Sequence, residues 1–442
     1  MAASVGQRLW LNRHSWFYLD DWPLALQASH VGNFVRPYNG HLSVVLLSIY
    51  RAQMELFGFR TYLPLRLAGA LSLAAVPVAV FLAVRRGRSA LVAALVALPL
   101  VWFRHMTLEP AALNHYLSAA FGGGCAWALS HRPSLRHDLL LGVLLALALC
   151  SADGGVAVAA ACLVHAACTR APWRRWVAVA VPTAMWALWW LHYSGRAKPP
   201  NTSDRLGVGG VIRAVAANVV GSFHQLALGN RVVGVVLLAG FVAWGIAVIW
   251  RHGLAGGAGV LAWSTALVVW WMGLALSRGR RATPALEFRY AYLAATFILL
   301  AAVSSSGTGG GRRTRNLADG AQEGPRFGGR AVPARILRSV AWLETIPAPA
   351  SAVVVVVVAA LLALAVQGDL QRSSHGLAQA ACSARLTVAT ADQGPTVVPD
   401  DVEAPITMYF VRAGQIRALT ARYGHPFPPG EDPAAAVGPA CF

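Results

Sequence analysis

Charge is scarce in this chain. Only 12% of its 442 residues are charged and 57% are hydrophobic, and the mean hydropathy is +0.53. A soluble globular domain carries about 25% charged residues. The composition therefore excludes a simple soluble enzyme and a disordered chain, and it predicts a membrane protein.

The spacings that bind structural zinc are also lacking, because the sequence has no Cys-x-x-Cys and no His-x-x-x-His. Four of the six cysteines fall in or at the ends of apolar runs. The other two, Cys382 and Cys441, lie in a C-terminal tail that we expect to be outside the cell. An oxidising exterior allows a disulfide between them, and two free thiols remain the alternative.

Basic residues outnumber acids, and the net charge is +19. Such a charge could indicate a nucleic-acid partner, but the arginines lie between the hydrophobic runs. Sixteen of them, against four acids, fall in alternate short loops and in one longer linker. Cytoplasmic loops of membrane proteins retain positive charge. We therefore assign the excess charge to membrane topology and expect no nucleic-acid partner.

Ten apolar runs are candidates for transmembrane helices, each of which needs about 20 apolar residues. They are 64–84, 89–103, 111–130, 139–152, 154–168, 176–193, 232–250, 254–277, 290–303 and 346–367. The sequence thus predicts an all-α polytopic integral protein of the plasma membrane, with a nine-span core over 64–304 and a last span over 346–367. Because the Arg-rich loops are assigned to the cytoplasm and the number of spans is even, the N-terminal loop 1–63 and the tail 368–442 are both expected on the extracytoplasmic side.

Three segments outside the ten predicted spans have compositions that predict other structures. Apolar residues recur at helical spacing over 41–59, which predicts an interfacial amphipathic helix, with a short extra span as the alternative. The segment 305–345 is rich in Gly, Ser and Arg and is expected to be a flexible cytoplasmic linker. The tail 368–442 contains period-two pieces among Pro and Gly, so it is either a small α+β cap or a loosely ordered tail.

Two adjacent acids, Asp20 and Asp21, stand in the string WFYLDDWPL. Because neighbouring carboxylates repel each other, one of them can hold a raised pKa and serve as a proton acceptor near neutrality. The alternative is that the pair forms a turn and helix cap at the membrane surface, with Trp16 and Trp22 as interfacial anchors.

A late outer loop, SRGRRATPALEFRYAY, carries arginines on the side of the membrane where charge bias disfavours them. The guanidinium fork suits phosphate, which makes Arg280, Arg281 and Arg289 candidate ligands for a phosphate group, with anionic lipid headgroups as the alternative. Arg289 and Tyr290 stand at the start of a span, where an unpaired charge is expensive. Two further acids, Glu109 and Asp153, adjoin Pro110 and Gly154, and we interpret both as helix caps, with a functional role at membrane depth as the alternative.

The order of these parts resembles the GT-C superfamily of polytopic membrane glycosyltransferases, and most of all its actinobacterial members. The resemblance is carried by the Asp-Asp pair in the first outer loop, the Pro-x-x-x-His-Leu segment over 37–42, the interfacial helix and about ten spans. The strings VPTAMWALWWLHYSG and EFRYAYLAA add to it. In that superfamily a transmembrane helix normally precedes the first-loop acids. Here only 19 residues precede Asp20, and we expect a miscalled start codon.

The resemblance implies inverting transfer of a sugar, on the outer face, from a polyprenyl-phosphate donor in the membrane lipid to a cell-envelope acceptor. Asp20 or Asp21 would be the general base, or would hold a divalent metal where a member uses one; no cofactor is otherwise expected. Arg289, with Arg280 or Arg281 and the adjoining Tyr290, would hold the lipid phosphate. His41 would orient the acceptor or an acid. The alternative function is non-catalytic: a transporter, a lipid flippase or a degenerate GT-C scaffold.

Overall fold

The structure is a computed structural model that describes residues 2–18, 20–38, 40–86, 88–103, 110–193, 206–278, 288–304, 347–404 and 411–425. Over these residues the chain forms fifteen α-helices and one short 3-10 turn, and it contains no β-strand. This agrees with the predicted all-α class.

The helices follow one another in the chain with short connections. They are α1 (Ala2–Leu11), α2 (Asp21–Ala28), α3 (Val44–Phe57), α4 (Leu63–Arg85), α5 (Ala90–Val101), α6 (Pro110–Leu129), α7 (Leu135–Leu149), α8 (Gly154–Cys168), α9 (Trp173–Tyr193), α10 (Val208–Leu226), α11 (Arg231–Gly256), α12 (Ala258–Arg278), α13 (Phe288–Val303), α14 (Ala348–Ala391) and α15 (Ala413–Tyr423).

Each of the ten predicted spans coincides with one helix, namely α4 to α9 and α11 to α14. Four of these are long and apolar enough to cross a membrane: α4, α11, α12 and α14. Three others, α5, α8 and α13, are apolar but shorter. The architecture is that of a polytopic membrane protein, and the count of ten crossings stays a prediction.

The main core lies between α4, α6, α7, α8, α12 and α13, and its buried side chains are mostly Ala, Leu, Val and aromatic residues. The small residues let these helices approach closely, as helices in membranes do. By contrast, α11 and α14 leave large apolar side chains exposed, including Val236, Ile246, Val356 and Leu364. We expect these surfaces to face lipid.

The helix α10 was not predicted. The amphipathic α10 fills the connection after α9 and packs against α12, where Trp271 Nε1 donates a hydrogen bond to Ser222 Oγ at 3.1 Å. The helix that corresponds to the predicted span 254–277 begins later than the prediction. Gly253 has a left-handed φ of +66° that interrupts the helix, and α12 begins at Ala258.

A second core lies at one end of the helix bundle. Here α2 and α3 pack against the second half of α14 and against α15, and Leu113 and Leu117 from the start of α6 join them. We call this assembly of α2, α3, α15 and residues 377–391 of α14 the head. The first loop and the C-terminal tail, which the sequence places on the same side of the membrane, thus meet in one unit.

The helix predicted over 41–59 is observed as α3, and its interfacial position stays a prediction. Its Leu46, Leu47, Tyr50 and Met54 are buried inside the head, whereas Leu56 is 73% exposed. The helix thus presents one face to the protein and has an apolar residue on the other, which suits a position at the membrane surface.

The C-terminal segments differ from expectation at one boundary. The predicted end of the last span at Gln367 is not a helix end, because α14 continues through it to Ala391. The described tail contains no strand, only an isolated antiparallel bridge between Glu403 and Arg412, so a β part of the cap is not seen there. Cys382 is disulfide-bonded and Cys125, Cys150, Cys162 and Cys168 are free; its predicted partner Cys441 and the linker 305–345 lie outside the described residues.

Candidate functional site

The two candidate acids lie at the start of α2, beside a cluster of aromatic side chains. Trp22 stacks on Phe59 with ring centroids 4.6 Å apart, and Phe17 meets Tyr62 edge to face at 4.9 Å. Trp16 and Trp22 are only 2% and 0% exposed. They are therefore packed inside the head, and the alternative that they anchor in lipid headgroups is wrong.

Asp21 is completely buried beside this aromatic cluster. Its Oδ2 accepts hydrogen bonds from the Tyr18 backbone N–H at 2.9 Å and from the Tyr62 hydroxyl at 3.1 Å, and its Oδ1 accepts one from the Tyr50 hydroxyl. Three donors from three parts of the chain thus surround one carboxyl. This arrangement ties α2 to α3 and to the start of α4.

Burial raises the pKa of Asp21 well above its usual range, and the hydrogen bonds from Tyr50, Tyr18 and Tyr62 oppose that shift. The charge of Asp20 contributes least. One acid of the pair thus does hold a raised pKa, as the sequence predicts, but desolvation rather than repulsion is the main cause. Because Asp21 has no exposed surface, it cannot meet a substrate in this conformation.

Asp20 lies in a different environment. It occupies the N-cap position of α2, yet its side chain makes no cap hydrogen bond. Its Oδ1 accepts a hydrogen bond from the Tyr38 hydroxyl at 2.9 Å, and no described residue donates to Oδ2. The side chain is partly exposed, so of the two acids Asp20 is the one with a carboxylate oxygen open to a ligand.

Tyr38 belongs to a tight turn with His41. The two residues exchange both backbone hydrogen bonds, at 3.0 Å from the Tyr38 N–H and 2.8 Å from the His41 N–H. Asn39 and Gly40 stand between them in the sequence, the pair that two-residue turns favour, and Gly40 has a φ of +85°. The turn therefore brings the predicted site residue His41 into the same part of the head as Asp20.

His41 pairs with an acid from the helix bundle. Its Nδ1 lies 2.7 Å from Asp153 Oδ1, with the two side chains 15% and 35% exposed. Asp153 stands at the N-cap position of α8, as the capping interpretation predicts, but its side chain accepts no cap hydrogen bond. The interpretation is thus right about the position and wrong about what the carboxylate does.

The predicted phosphate-binding residues are described only in part. Arg280, Arg281 and the side chain of Arg289 lie outside the described part of the chain, although Arg289 itself belongs to α13. Tyr290 is 1% exposed and packs against His115 and Trp270, at ring centroid distances of 5.2 and 5.9 Å. It therefore lies in an aromatic cluster where α6 begins and α13 begins, and its role toward a substrate stays a prediction.

Metal binding also stays a prediction. Among the described residues, no group of three or more His, Cys, Asp or Glu side chains is arranged to hold a metal ion. The carboxylates of Asp20 and Asp153 both contact the Tyr38–His41 turn. Asp20 accepts a hydrogen bond from the Tyr38 hydroxyl, and Asp153 lies against the His41 ring.

Sequence reasoning missed two members of this constellation. Tyr38 stands inside the Pro-x-x-x-His segment, but nothing in a linear sequence indicates that its hydroxyl reaches a residue 18 positions earlier. Asp153 lies 112 positions after His41. The available signal for it was an acid next to a turn at the predicted outer end of a span.

Comparison with solved structures finds similar folds at low sequence identity. No protein-family model and no curated protein matches the sequence. The chain is similar to the crystal structure of ArnT from Cupriavidus metallidurans bound to undecaprenyl phosphate, with 17% identity over 99% of this chain and 87% of that one and a TM-score of 0.49. For ArnT in the apo state the identity is 15%, over 96% of this chain and 88% of that one, with a TM-score of 0.46.

A further similar structure is the Archaeoglobus fulgidus oligosaccharyltransferase in complex with Zn and sulfate. The identity is 14%, over 86% of this chain and 52% of that one, with a TM-score of 0.39.

Proposed function

We propose that this chain is an integral membrane glycosyltransferase that moves a sugar from a polyprenyl-phosphate donor to a cell-envelope acceptor. The reaction takes place on the outer face of the plasma membrane, with inversion at the sugar carbon. Asp20 is the general base. The observation that carries the proposal is the contrast between the two acids: Asp21 is sealed among three donors, whereas Asp20 keeps an open carboxylate oxygen.

The chemistry needs such a group. When an acceptor hydroxyl attacks the anomeric carbon, its O–H proton passes to the base as the new C–O bond forms. The old bond to the phosphate oxygen breaks, and its electron pair leaves with the phosphate. A phosphate leaving group needs positive charge rather than a strong general acid. We assign that charge to Arg280 and Arg281, which stand between α12 and α13 in the sequence, and to Arg289 in the first turn of α13.

The position of Asp20 supports a membrane-embedded donor. The head that carries it rests on the start of α4 and the start of α6, where apolar helices begin. Leu63, Leu67 and Leu71 of α4 and Leu56 of α3 are exposed at this level, so an isoprenoid chain can lie against the protein while its phosphate reaches the head.

Transfer from radiolabelled polyprenyl-phosphate hexoses and pentoses, measured in membranes that contain the full chain, tests the proposal. A general base contributes about 10²- to 10⁴-fold to a rate, so we expect at least a hundredfold loss in Asp20→Asn. The matched control is Asp401→Asn, an exposed acid of the tail, which should transfer at the rate of the unmodified protein.

Two results would contradict the proposal. Full transfer by Asp20→Asn removes the general base from Asp20. Recovery of every labelled donor intact, with the unmodified protein, overturns the enzymatic function and favours the transporter, flippase or scaffold alternative.

A further inference from the structure

We propose that Asp153 is a positioning residue of this site. Through His41 it holds the turn that carries Tyr38, and Tyr38 holds the Asp20 carboxylate. The inference rests on the proposed function, in which Asp20 is the base, and it extends the site from the head into the α7–α8 turn of the helix bundle.

The first step is the orientation of Asp153. An acid at an N-cap normally accepts a hydrogen bond from a backbone N–H of the first helical turn. Here the backbone carbonyl of Asp153 accepts from the Val156 N–H at 2.9 Å, while the side chain makes no cap bond and meets His41 Nδ1. The carboxylate of Asp153 therefore serves His41 rather than the helix.

The second step is the geometry of the turn. Residues that exchange both backbone hydrogen bonds are directly opposite each other, and their side chains project from the same face. Tyr38 and His41 are such a pair. The Tyr38–Asp20 contact and the His41–Asp153 contact therefore lie on one face of one turn, and the two backbone hydrogen bonds carry a displacement of His41 to Tyr38.

The third step is the attachment of the surrounding loop. Before the turn, Trp189 Nε1 of α9 donates a hydrogen bond to the Val35 carbonyl at 2.6 Å. After it, the Val45 N–H donates to the Cys150 carbonyl at 3.1 Å. These contacts hold the two ends of the loop to the helix bundle. Between them, the 2.7 Å contact between His41 Nδ1 and Asp153 Oδ1 holds the turn itself, so the orientation of Tyr38 depends on it.

The experiment separates positioning from capping. Ser is as good an N-cap as Asp, so Asp153→Ser keeps the start of α8 and removes the partner of His41. His41→Phe keeps a ring and removes the same contact from the other side. For both variants we expect a fall in kcat of about tenfold, because a small displacement of a catalytic group lowers a rate even when the substituted residue is remote from the reacting atoms. The KM for the labelled donor should stay within about twofold of the unmodified value.

The double variant gives the sharper result. Because both changes remove one contact, Asp153→Ser with His41→Phe should lower kcat no further than the more affected single variant. Asp153→Asn, which keeps the cap and an acceptor for His41, should restore part of the activity. The matched control is Asp392→Ser, which removes a second His–Asp contact, that with His425, and should leave kcat unchanged.

Two outcomes overturn the inference. One is full kcat in Asp153→Ser when Asp20→Asn is inactive, which leaves the proposed function in place. The other is a double variant whose loss is the product of the two single losses, since the residues then act independently. Full activity of Asp20→Asn instead removes the proposed base, so the two proposals fail in distinguishable ways.

Discussion

The backbone of Tyr423, at the end of α15, packs directly against Gly58 at the end of α3. A Cβ on Gly58 would lie 2.0 Å from the Tyr423 carbonyl oxygen, and Gly58 has φ +56° and ψ −147°, a conformation almost restricted to glycine. The C-terminal helix thus docks on the head at a position that only glycine permits.

Gly58→Ala is therefore expected to undock α15. The backbone conformation alone costs about 1–3 kcal/mol for a residue with a side chain, and the clash with Tyr423 adds to it. Limited proteolysis of the purified protein should then cleave the tail faster than in the unmodified chain. The matched control is Gly376→Ala in α14, where a Cβ meets no atom within 4 Å; equal cleavage of the two variants contradicts the prediction.

The hydroxyl of Tyr38 is expected to matter for turnover. Tyr38→Phe removes the donor to Asp20 Oδ1 and leaves the ring in place. A hydrogen bond to a charged group contributes about 1.5–3 kcal/mol, and less when it is partly exposed, so transfer should fall about tenfold. Tyr423→Phe is the control, because the Tyr423 hydroxyl is buried without a hydrogen-bond partner among the described residues. If both variants transfer alike, Tyr38 does not support the base.

Asp21 is expected to make stability depend on pH. Burial raises its pKa, so the folded protein retains this proton at a pH where the unfolded chain, with a pKa of about 3.9, has lost it. The free energy of unfolding therefore falls as pH rises from about 4 toward the raised pKa, by at most about 1.4 kcal/mol per pH unit for one proton.

Asp21→Asn removes that titration. Melting temperatures in detergent between pH 4.5 and 8 should show the unmodified protein losing stability relative to Asp21→Asn as pH rises. Asp401→Asn, in the exposed tail, should follow the unmodified protein. Parallel curves for Asp21→Asn and the unmodified protein would show that Asp21 does not titrate in this way.

A buried ion pair at the opposite end of the bundle is expected to hold α7 against α9. Arg175 Nε lies 2.9 Å from Asp138 Oδ1, and both side chains are 3% exposed. Removing one partner leaves a buried charge, so Asp138→Ala should destabilise the protein by about 3–5 kcal/mol. Asp138→Leu combined with Arg175→Met should restore most of the loss. A double variant as unstable as the single one would indicate a role beyond mutual neutralisation.

Much of the fold could be predicted because span formation is a local property. Ten apolar runs correspond to ten helices, since a chain segment that crosses lipid satisfies its backbone hydrogen bonds within its own helix. The helix α10 was missed because small residues and Arg213 interrupt its apolar face. The extent of α14 was missed because Gln367 and Asp369 suggest an end, although no residue there forces one.

The candidate site could be predicted only as a region. The sequence indicates the Asp-Asp pair and the Pro-x-x-x-His segment, and the structure brings both into the head. It could not indicate that Tyr38 joins them or that Asp153 turns from α8 toward His41, because these contacts depend on how α2, α3 and the α7–α8 turn pack.

The sequence by itself determined the membrane class, the positions of the apolar helices and the presence of two adjacent acids near the start of the chain, all of which follow from local composition and spacing. Only the tertiary structure decided that Asp21 is buried and that Asp20 is partly exposed. The donors that enclose Asp21 come from Tyr50 and Tyr62, 29 and 41 positions away. Burial by distant residues is a property of packing, and no local pattern in the sequence contains it.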